Sequence, residues 1–384
     1  MTTEIHDLAE RSWNGERTVD AYRDAGRLFE VADDVALTLG FGNVIAIRTG
    51  EGLVLVDTSQ GAHIEAILAA IHAWDQAPVD TVIYTHGHFD HAGGMAAIDA
   101  DAAARGQSRP RVVAHENVPL RFARYAETSG YNAVINRRQF RTRATTSGDR
   151  DRWEHWREPD ITYRGTLELK VGDVRLALHH GKGETDDHTW VHLRDHGIVC
   201  TGDFFTWVCP NAGNPQKVQR YPREWAQALR AIISAGPEIM LPAHNMPIFG
   251  RERIAEALGN SAALLEHLVD STMGLMNEGA TLDEVLARVK APPELLAKPY
   301  LAPLYDEPEF IVRNVWRMYG GWYDGNPAHL KPAAPETLAT EITALSGGAL
   351  RIAQRAVEVA LSGDLRTATE LAEVAGRGAT DDPD

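Results

Sequence analysis

The stretch Thr85-His86-Gly87-His88-Phe89-Asp90-His91 puts three imidazoles and a carboxylate within six residues, directly behind the apolar run Thr81-Val82-Ile83-Tyr84. That run reads as a short buried strand. Ala92-Gly93-Gly94 followed by Met95-Ala96-Ala97-Ile98 reads as a turn into a helix. The H-x-H-x-D-H motif therefore occupies a strand-to-helix corner, where rigid elements on both sides project its side chains in one direction. So dense a group of imidazoles has little structural use and suits the ligation of metal ions. Histidine is the commonest ligand for zinc-like ions, and the added carboxylate makes a borderline-hard site fit for Zn, Mn or Fe.

The surrounding pattern sets the fold class. From about Leu28 to Thr58 apolar runs alternate with glycines at 40, 42, 50 and 52, which predicts an antiparallel meander over 35–39, 43–47 and 52–57. A helix is expected over 64–74, a strand over 81–84, then strand and helix again through Arg111-Val112-Val113-Ala114 and the segment after Glu116. Strands return between Tyr163 and Thr201, followed by a helix over 224–234 and a last strand, Glu238-Ile239-Met240-Leu241. Two runs of strands, each followed by helices, predict an α/β fold, an αββα sandwich with the metal site at one edge of two packed sheets. After Arg251 helical patterns dominate, with breaks at Pro292-Pro293 and Pro303. The expected domains are 1–250, catalytic, and 251–384, helical.

Charge and cysteine usage exclude several classes. A net charge of −16 argues against a nucleic-acid partner, because phosphate binding needs a basic face. It leaves room for a small anionic substrate, since a metal centre and a few arginines reverse the field locally. The two cysteines, Cys200 and Cys209, imply no disulfide framework and read as small core hydrophobes. The first sixteen residues lack the basic and apolar regions of a secretory signal, and no apolar run is long enough to span a membrane. A cytoplasmic protein is expected.

A two-metal site needs more ligands than one corner supplies. Three further places offer them, each just after a predicted strand: Gly181-Lys182-Gly183-Glu184-Thr185, Thr201-Gly202-Asp203 and Pro242-Ala243-His244-Asn245. In this chain order the set resembles the metallo-β-lactamase superfamily over roughly residues 30 to 250. Most of that superfamily carries a histidine on the glycine loop where this chain has Glu184, and an acid there resembles the alkylsulfatase branch. The segment from Arg313 to Pro327, with its run Tyr319-Gly320-Gly321-Trp322-Tyr323-Asp324-Gly325-Asn326-Pro327, resembles the opening of the alkylsulfatase dimerisation domain. The resemblance implies two divalent ions per chain, zinc favoured. One would be held by His86, His88 and Glu184, the other by Asp90, His91 and His244, with Asp203 bridging. Asp186, Asp187 and His188 stay open as alternatives to Glu184. His115 and His180 could at most support ligands from behind; His179, His192 and His196 have no motif support.

The implied activity is hydrolysis of a sulfate ester by water activated between the metals, with Asp90 or Asp203 orienting it. One departure weakens that reaction. Where the alkylsulfatase pattern carries a His-Asn pair, its histidine being taken as proton donor, this chain reads Pro210-Asn211. Proline cannot donate a proton, so a lactone, thioester, phosphoester or β-lactam remains an alternative substrate. Asn211, Lys217 and Arg220 are candidate oxyanion contacts, and the cluster Arg124, Arg137, Arg138, Arg141 and Arg143 offers further positive charge. Tyr125, Trp153, Trp156 and Trp207 could line an apolar pocket. A redox di-iron protein and a non-catalytic binding protein on the same fold are disfavoured by the intact ligand set. For the helical C-terminal part the alkylsulfatase resemblance implies a homodimer.

Overall fold

The computed structural model describes residues 3–20, 23–61, 63–140 and 153–379. They form two compact units, Met1–Gly321 and Trp322–Asp384.

The first unit holds both sheets. Seven strands, β1 (Leu28–Ala32), β2 (Val35–Thr38), β3 (Val44–Thr49), β4 (Gly52–Val56), β5 (Val79–Ile83), β6 (Arg111–His115) and β7 (Ile161–Tyr163), pair in sequence order. The pairing is antiparallel from β1 to β4 and parallel from β4 to β7. The second sheet contains β8 (Thr166–Val171), β9 (Val174–His180), β10 (Thr189–Leu193), β11 (Ile198–Gly202), β12 (Ile239–Pro242) and β13 (Ile248–Phe249), in the order β13-β12-β11-β10-β9-β8. There only β11 and β12 run parallel.

Alternation along the strands explains the layering. Ile45, Ile47, Val54 and Val56 point between the sheets, where they join Leu176, Leu178, Val191 and Val199 in one buried core. Val44, Ala46, Leu53 and Leu55 point outward and pack under α2 (Ile64–Trp74) and α4 (Met95–Ala104), which follows the single-turn α3 (Phe89–Ala92). Strands buried on both faces lose the polar alternation of a half-exposed sheet, which is why β4 reads as an unbroken apolar run. Each aliphatic side chain so buried contributes about 1.5–3 kcal/mol. Cys200 and Cys209 are free and buried in the inter-sheet core.

One helix lies where the sequence reading expected only a polar terminus. α1 (Thr3–Trp13) buries Ile5, Leu8, Ala9 and Ser12 on one face, and its acidic exposed face masked that stripe in the composition. After α5 (Asn117–Glu127), α6 (Ser129–Phe140) and α7 (Pro222–Ala235), the 27-residue α8 (Arg251–Asn277) packs along α7 within the first unit. α9 (Leu282–Arg288), α10 (Pro293–Leu296) and α11 (Pro308–Gly320) complete that unit. The second unit contains α12 (Pro335–Ser346), α13 (Ala349–Leu361) and α14 (Leu365–Gly378). No described helix is long and apolar enough to cross a membrane.

Candidate metal centre

The parallel strands place the site. The chain leaves the C-terminal end of β5 through His86 and His88 into α3, which carries Asp90 and His91. From the second sheet, Glu184 follows β9, Asp203 follows β11 and His244 follows β12. All seven side chains meet at one edge of the sandwich in two adjoining groups that could each hold a metal ion. In His86, His88, Glu184 and Asp203, and again in Asp90, His91 and His244, ligand atoms lie within 4.8 Å of one another. Asp203 touches both groups: its Oδ2 is 3.8 Å from His86 Nε2 and 3.5 Å from His91 Nε2, and its Oδ1 is 3.2 Å from His244 Nε2. Asp90 Oδ2 stands 3.5 Å from both His91 Nε2 and His244 Nε2.

The imidazoles are aimed from behind. His91 Nδ1 sits 2.8 Å from the buried Asp57 carboxylate, and His244 Nδ1 faces the carbonyl of Phe41. Each contact leaves Nε2 pointing into the cluster, the arrangement by which partners behind a ligand fix its tautomer. Asp57 also accepts from Thr85 N at 2.7 Å and Thr85 Oγ1 at 2.8 Å, so one carboxylate orders the start of the corner. Its backbone lies at φ 63°.

At two glycines a side chain would crowd the residues that support the site. A Cβ on Gly87 would lie 2.9 Å from Arg121 Cδ and 3.0 Å from Asp187 Oδ2. Gly202 lies at φ 53°, and its Cβ would come 2.6 Å from His188 Nε2.

The electrostatics fit cations. Burial holds His86 and His88 well below the ordinary histidine range, helped by neighbouring positive charge, so both imidazoles are neutral, the form that ligates. For His244 burial opposes protonation, yet Asp203 and Asp90 outweigh it and raise the ring to about 9. Burial likewise raises Glu184 to about 8, against the pull of Arg220. His91 Nε2 and Asp203 Oδ1 are buried without a hydrogen-bond partner. Buried polar atoms normally have a partner, and a divalent ion would supply one to both.

Glu184 is the acid of the glycine loop that enters the cluster. Asp187 instead accepts from Gly87 N and Arg121 Nε, both at 2.9 Å, and Asp186 pairs with Arg121. His188 Nε2 accepts the Asp203 N–H at 3.1 Å, and its ring stacks on Phe204 at 4.1 Å. Glu184 is itself held by Arg220 Nη1 at 2.9 Å and by Asn211 Nδ2.

A cavity of about 770 Å³ opens onto the cluster, lined by His88, Asp90, Glu184, Asp203 and His244. Tyr125, Arg124, Arg137, Asn211, Lys217 and Arg220 line it too, with Trp153. Arg138 does not: it is exposed and reaches Gln216 Oε1 at 3.4 Å. Trp156 stacks on Phe122 at 4.4 Å, and Trp207 Nε1 donates to the Met246 carbonyl, so both belong to the core. His115 and His180 stack on each other at 3.7 Å, and His179 stacks on Trp190 at 4.1 Å, outside both groups. His192 and His196 also lie outside. Arg141 and Arg143 fall outside the described residues.

The profile of the metallo-beta-lactamase superfamily matches residues 37–244, from β2 to the last histidine of the cluster. The chain belongs to the metallo-β-lactamase superfamily. A second profile, alkyl sulfatase dimerisation, matches residues 281–382. This superfamily member is 26% identical over 354 residues to a linear primary-alkylsulfatase of Pseudomonas sp. (strain ATCC 19151), covering 88% of this chain and 66% of that one. It is 27% identical over 375 residues to an (R)-specific secondary-alkylsulfatase of Pseudomonas sp., covering 90% and 55%. Two structures of the sec-alkylsulfatase Pisa1, one from Pseudomonas sp. described as stereoselective and inverting and one a double mutant, superpose with TM-scores of 0.76 and 0.81. Both are 25% identical, covering 90 and 92% of this chain and 58 and 60% of theirs. The chain thus spans between about half and two thirds of the length of these relatives.

Sequence reasoning missed the residues behind the ligands. Asn43 Nδ2 donates to the carbonyls of Pro242 at 3.2 Å and Asn245 at 2.8 Å, and so braces the His244 loop. Asp57 and Arg121 brace the corner in the same way. The available signal was an acid directly after the apolar strand β4; nothing local marked Asn43 or Arg121.

Proposed function

We propose that this superfamily member is a dinuclear metal-dependent hydrolase of a sulfate ester, working as a homodimer. The observation that carries the reading is the pair of adjoining ligand groups, bridged by Asp203, at the mouth of a cavity with cationic walls. The sulfatase assignment draws on the alkyl sulfatase dimerisation match and on the alkylsulfatase relatives. The catalytic domain would be 1–250 and the dimerisation domain 251–384.

His86, His88 and Glu184 would hold one divalent ion and Asp90, His91 and His244 the other, with Asp203 between them; two histidines with carboxylate donors in each group favour zinc. Bound there, the ions supply the Lewis acidity that makes water nucleophilic at neutral pH and polarises the ester. Asp90 and Asp203 orient the attacking water and take up its proton. Lys217, Arg220 and Asn211 surround the sulfate at the Glu184 end of the cavity.

Pro210 bears on the bond that breaks. An alkoxide leaving group needs a proton, whereas sulfate is a stable anion and needs none. Attack of water on the ester carbon, with release of sulfate and a proton, suits a chain whose Pro210, buried and outside the cavity lining, offers no proton at that place. The inverting character of Pisa1 supports the same choice, since inversion at carbon requires the C–O bond to break.

Metal content and sulfate release, measured together on protein purified without added metal, test the proposal, with His88→Ala as control. About two ions per chain and sulfate from wild type alone would support it. Two ions without sulfate from primary or secondary esters would sink the sulfatase assignment and turn the search to lactones and thioesters. Heavy-oxygen water would place its label in the alcohol for C–O cleavage and in sulfate for S–O cleavage.

A further inference from the structure

The cavity walls carry more positive charge than one sulfate can answer. Every acid lining the cavity among the described residues, Asp90, Glu184 and Asp203, belongs to the candidate ligand cluster. Against them stand Arg121, Arg124, Arg137, Lys217, Arg220 and Arg317. Arg220 is paired with Glu184, and Arg121 with Asp186 and Asp187. Among the described residues, Arg124, Lys217 and Arg317 meet no carboxylate. Arg124 lies 5.3 Å from the centroid of the Tyr125 ring, Lys217 Nζ is 3.4 Å from Asn136 Oδ1, and Arg317 donates to Asn314 Oδ1 at 3.2 Å.

Elsewhere several arginines of this acidic chain are supplied with acids. Arg48 meets Glu30, Asp34 and Asp75, and Arg157 meets Asp99 and Asp160. Arg105 and Arg138, outside the cavity, also meet no carboxylate and bond to Gln76 and Gln216 instead, so what sets Arg124, Lys217 and Arg317 apart is that they share one cavity. Burial and the neighbouring Arg220 bring Lys217 down to about 8, which is what a desolvated, positive neighbourhood does to an ammonium group. Divalent ions in the cluster would cancel its acids and leave the wall more positive still.

A plain alkyl sulfate brings one negative charge, and that charge is met beside the cluster by Lys217 and Arg220. Arg124 on α5 and Arg317 on α11 then remain unanswered. Phe89, Tyr125, Ile135 and Trp153 supply apolar wall to the same cavity. We infer that the substrate is a sulfate ester carrying a second anionic group, a carboxylate across an apolar spacer, which Arg124 and Arg317 receive. This rests on the sulfate-ester reading above and narrows its substrate class, since it disfavours a neutral fatty chain.

Binding of two hydrolysis-inert sulfonates to the metal-loaded protein tests it by calorimetry. The pair is hexanesulfonate and its equal-length ω-carboxy counterpart, sulfohexanoate. Sulfohexanoate should bind at least about tenfold more tightly at low salt, and the preference should shrink as salt screens it. An Arg124→Gln/Arg317→Gln double variant should bring the two to parity while hexanesulfonate affinity stays within about twofold. Parity in the wild type, no binding of either sulfonate, or a preference that survives the double variant overturns the inference. Sulfate release from the two matching sulfate esters is scored separately. Release from neither sinks the sulfate-ester reading, while the sulfonate comparison still decides the recognition of a second anion.

Discussion

The two sides of the candidate centre are held by opposite means. Around His91 and His244 the imidazoles lean on acceptors that turn their inner nitrogens into the cluster, towards Asp90 and Asp203: Asp57 behind His91 and the Phe41 carbonyl behind His244. On the β9 side Glu184 is gripped on Oε1, by Arg220 Nη1 at 2.9 Å and by Asn211. The first side is organised for a cation before one arrives. The second has a substitute cation built in, so metal binding there competes with an internal ion pair. The difference teaches that the two ligand groups need not share one affinity, although they share Asp203.

Four substitutions would break or sharpen that contrast. The largest effect is expected from Arg220→Gln. Both partners of its ion pair are nearly inaccessible, and removing one leaves the other uncompensated at a cost of up to about 3–5 kcal/mol. Because metal would then serve Glu184 in place of Arg220, the loss should fall mainly on chelator-treated protein. Melting curves with and without metal should therefore lie further apart than in the wild type. Equal losses in both states would show that Arg220 is a packing residue only.

Asp57→Asn comes next. The fold should survive, while metal affinity falls about 10–100-fold, read by competition with a coloured chelator. An unchanged affinity would mean that the β5 side owes its order to the backbone alone. Gly202→Ala should cost about 1–3 kcal/mol, because a Cβ at φ 53° meets the His188 ring that holds Asp203 N. Denaturant unfolding measures the cost, and a matching loss of metal would tie it to the bridging acid. The smallest effect belongs far from the cluster: Thr281 and Glu284 form a capping box at the start of α9. Thr281→Ala should lower stability by about 1 kcal/mol and leave metal content untouched.

Much of this was legible in the chain. The helix over 64–74 and the strands β4 and β12 announce themselves through apolar period and length, since local burial imposes local pattern. The seven clustered side chains were legible because each follows directly on an apolar strand and their chemistry has few other uses. What stayed hidden depends on distance along the chain. Asp57 reaches His91 across 34 positions, and Asn43 reaches the His244 loop across about 200; apart from the place of Asp57 directly after β4, nothing in their own neighbourhoods betrays a role. α1 escaped for a different reason: four buried positions in eleven residues leave a mostly charged surface that resembles a loose tail.

The centre draws its side chains from both sheets: His86 to His91 from the first, and Glu184, Asp203 and His244 from the second. Neither half of the sandwich can assemble the cluster alone. During synthesis the early histidines emerge long before His244, and they must wait for the second sheet to form and dock. An ion captured before that moment would meet an incomplete coordination shell and exchange freely. Loading of the complete cluster would then follow the docking of the two sheets, and a cell short of metal would be expected to hold docked but empty protein.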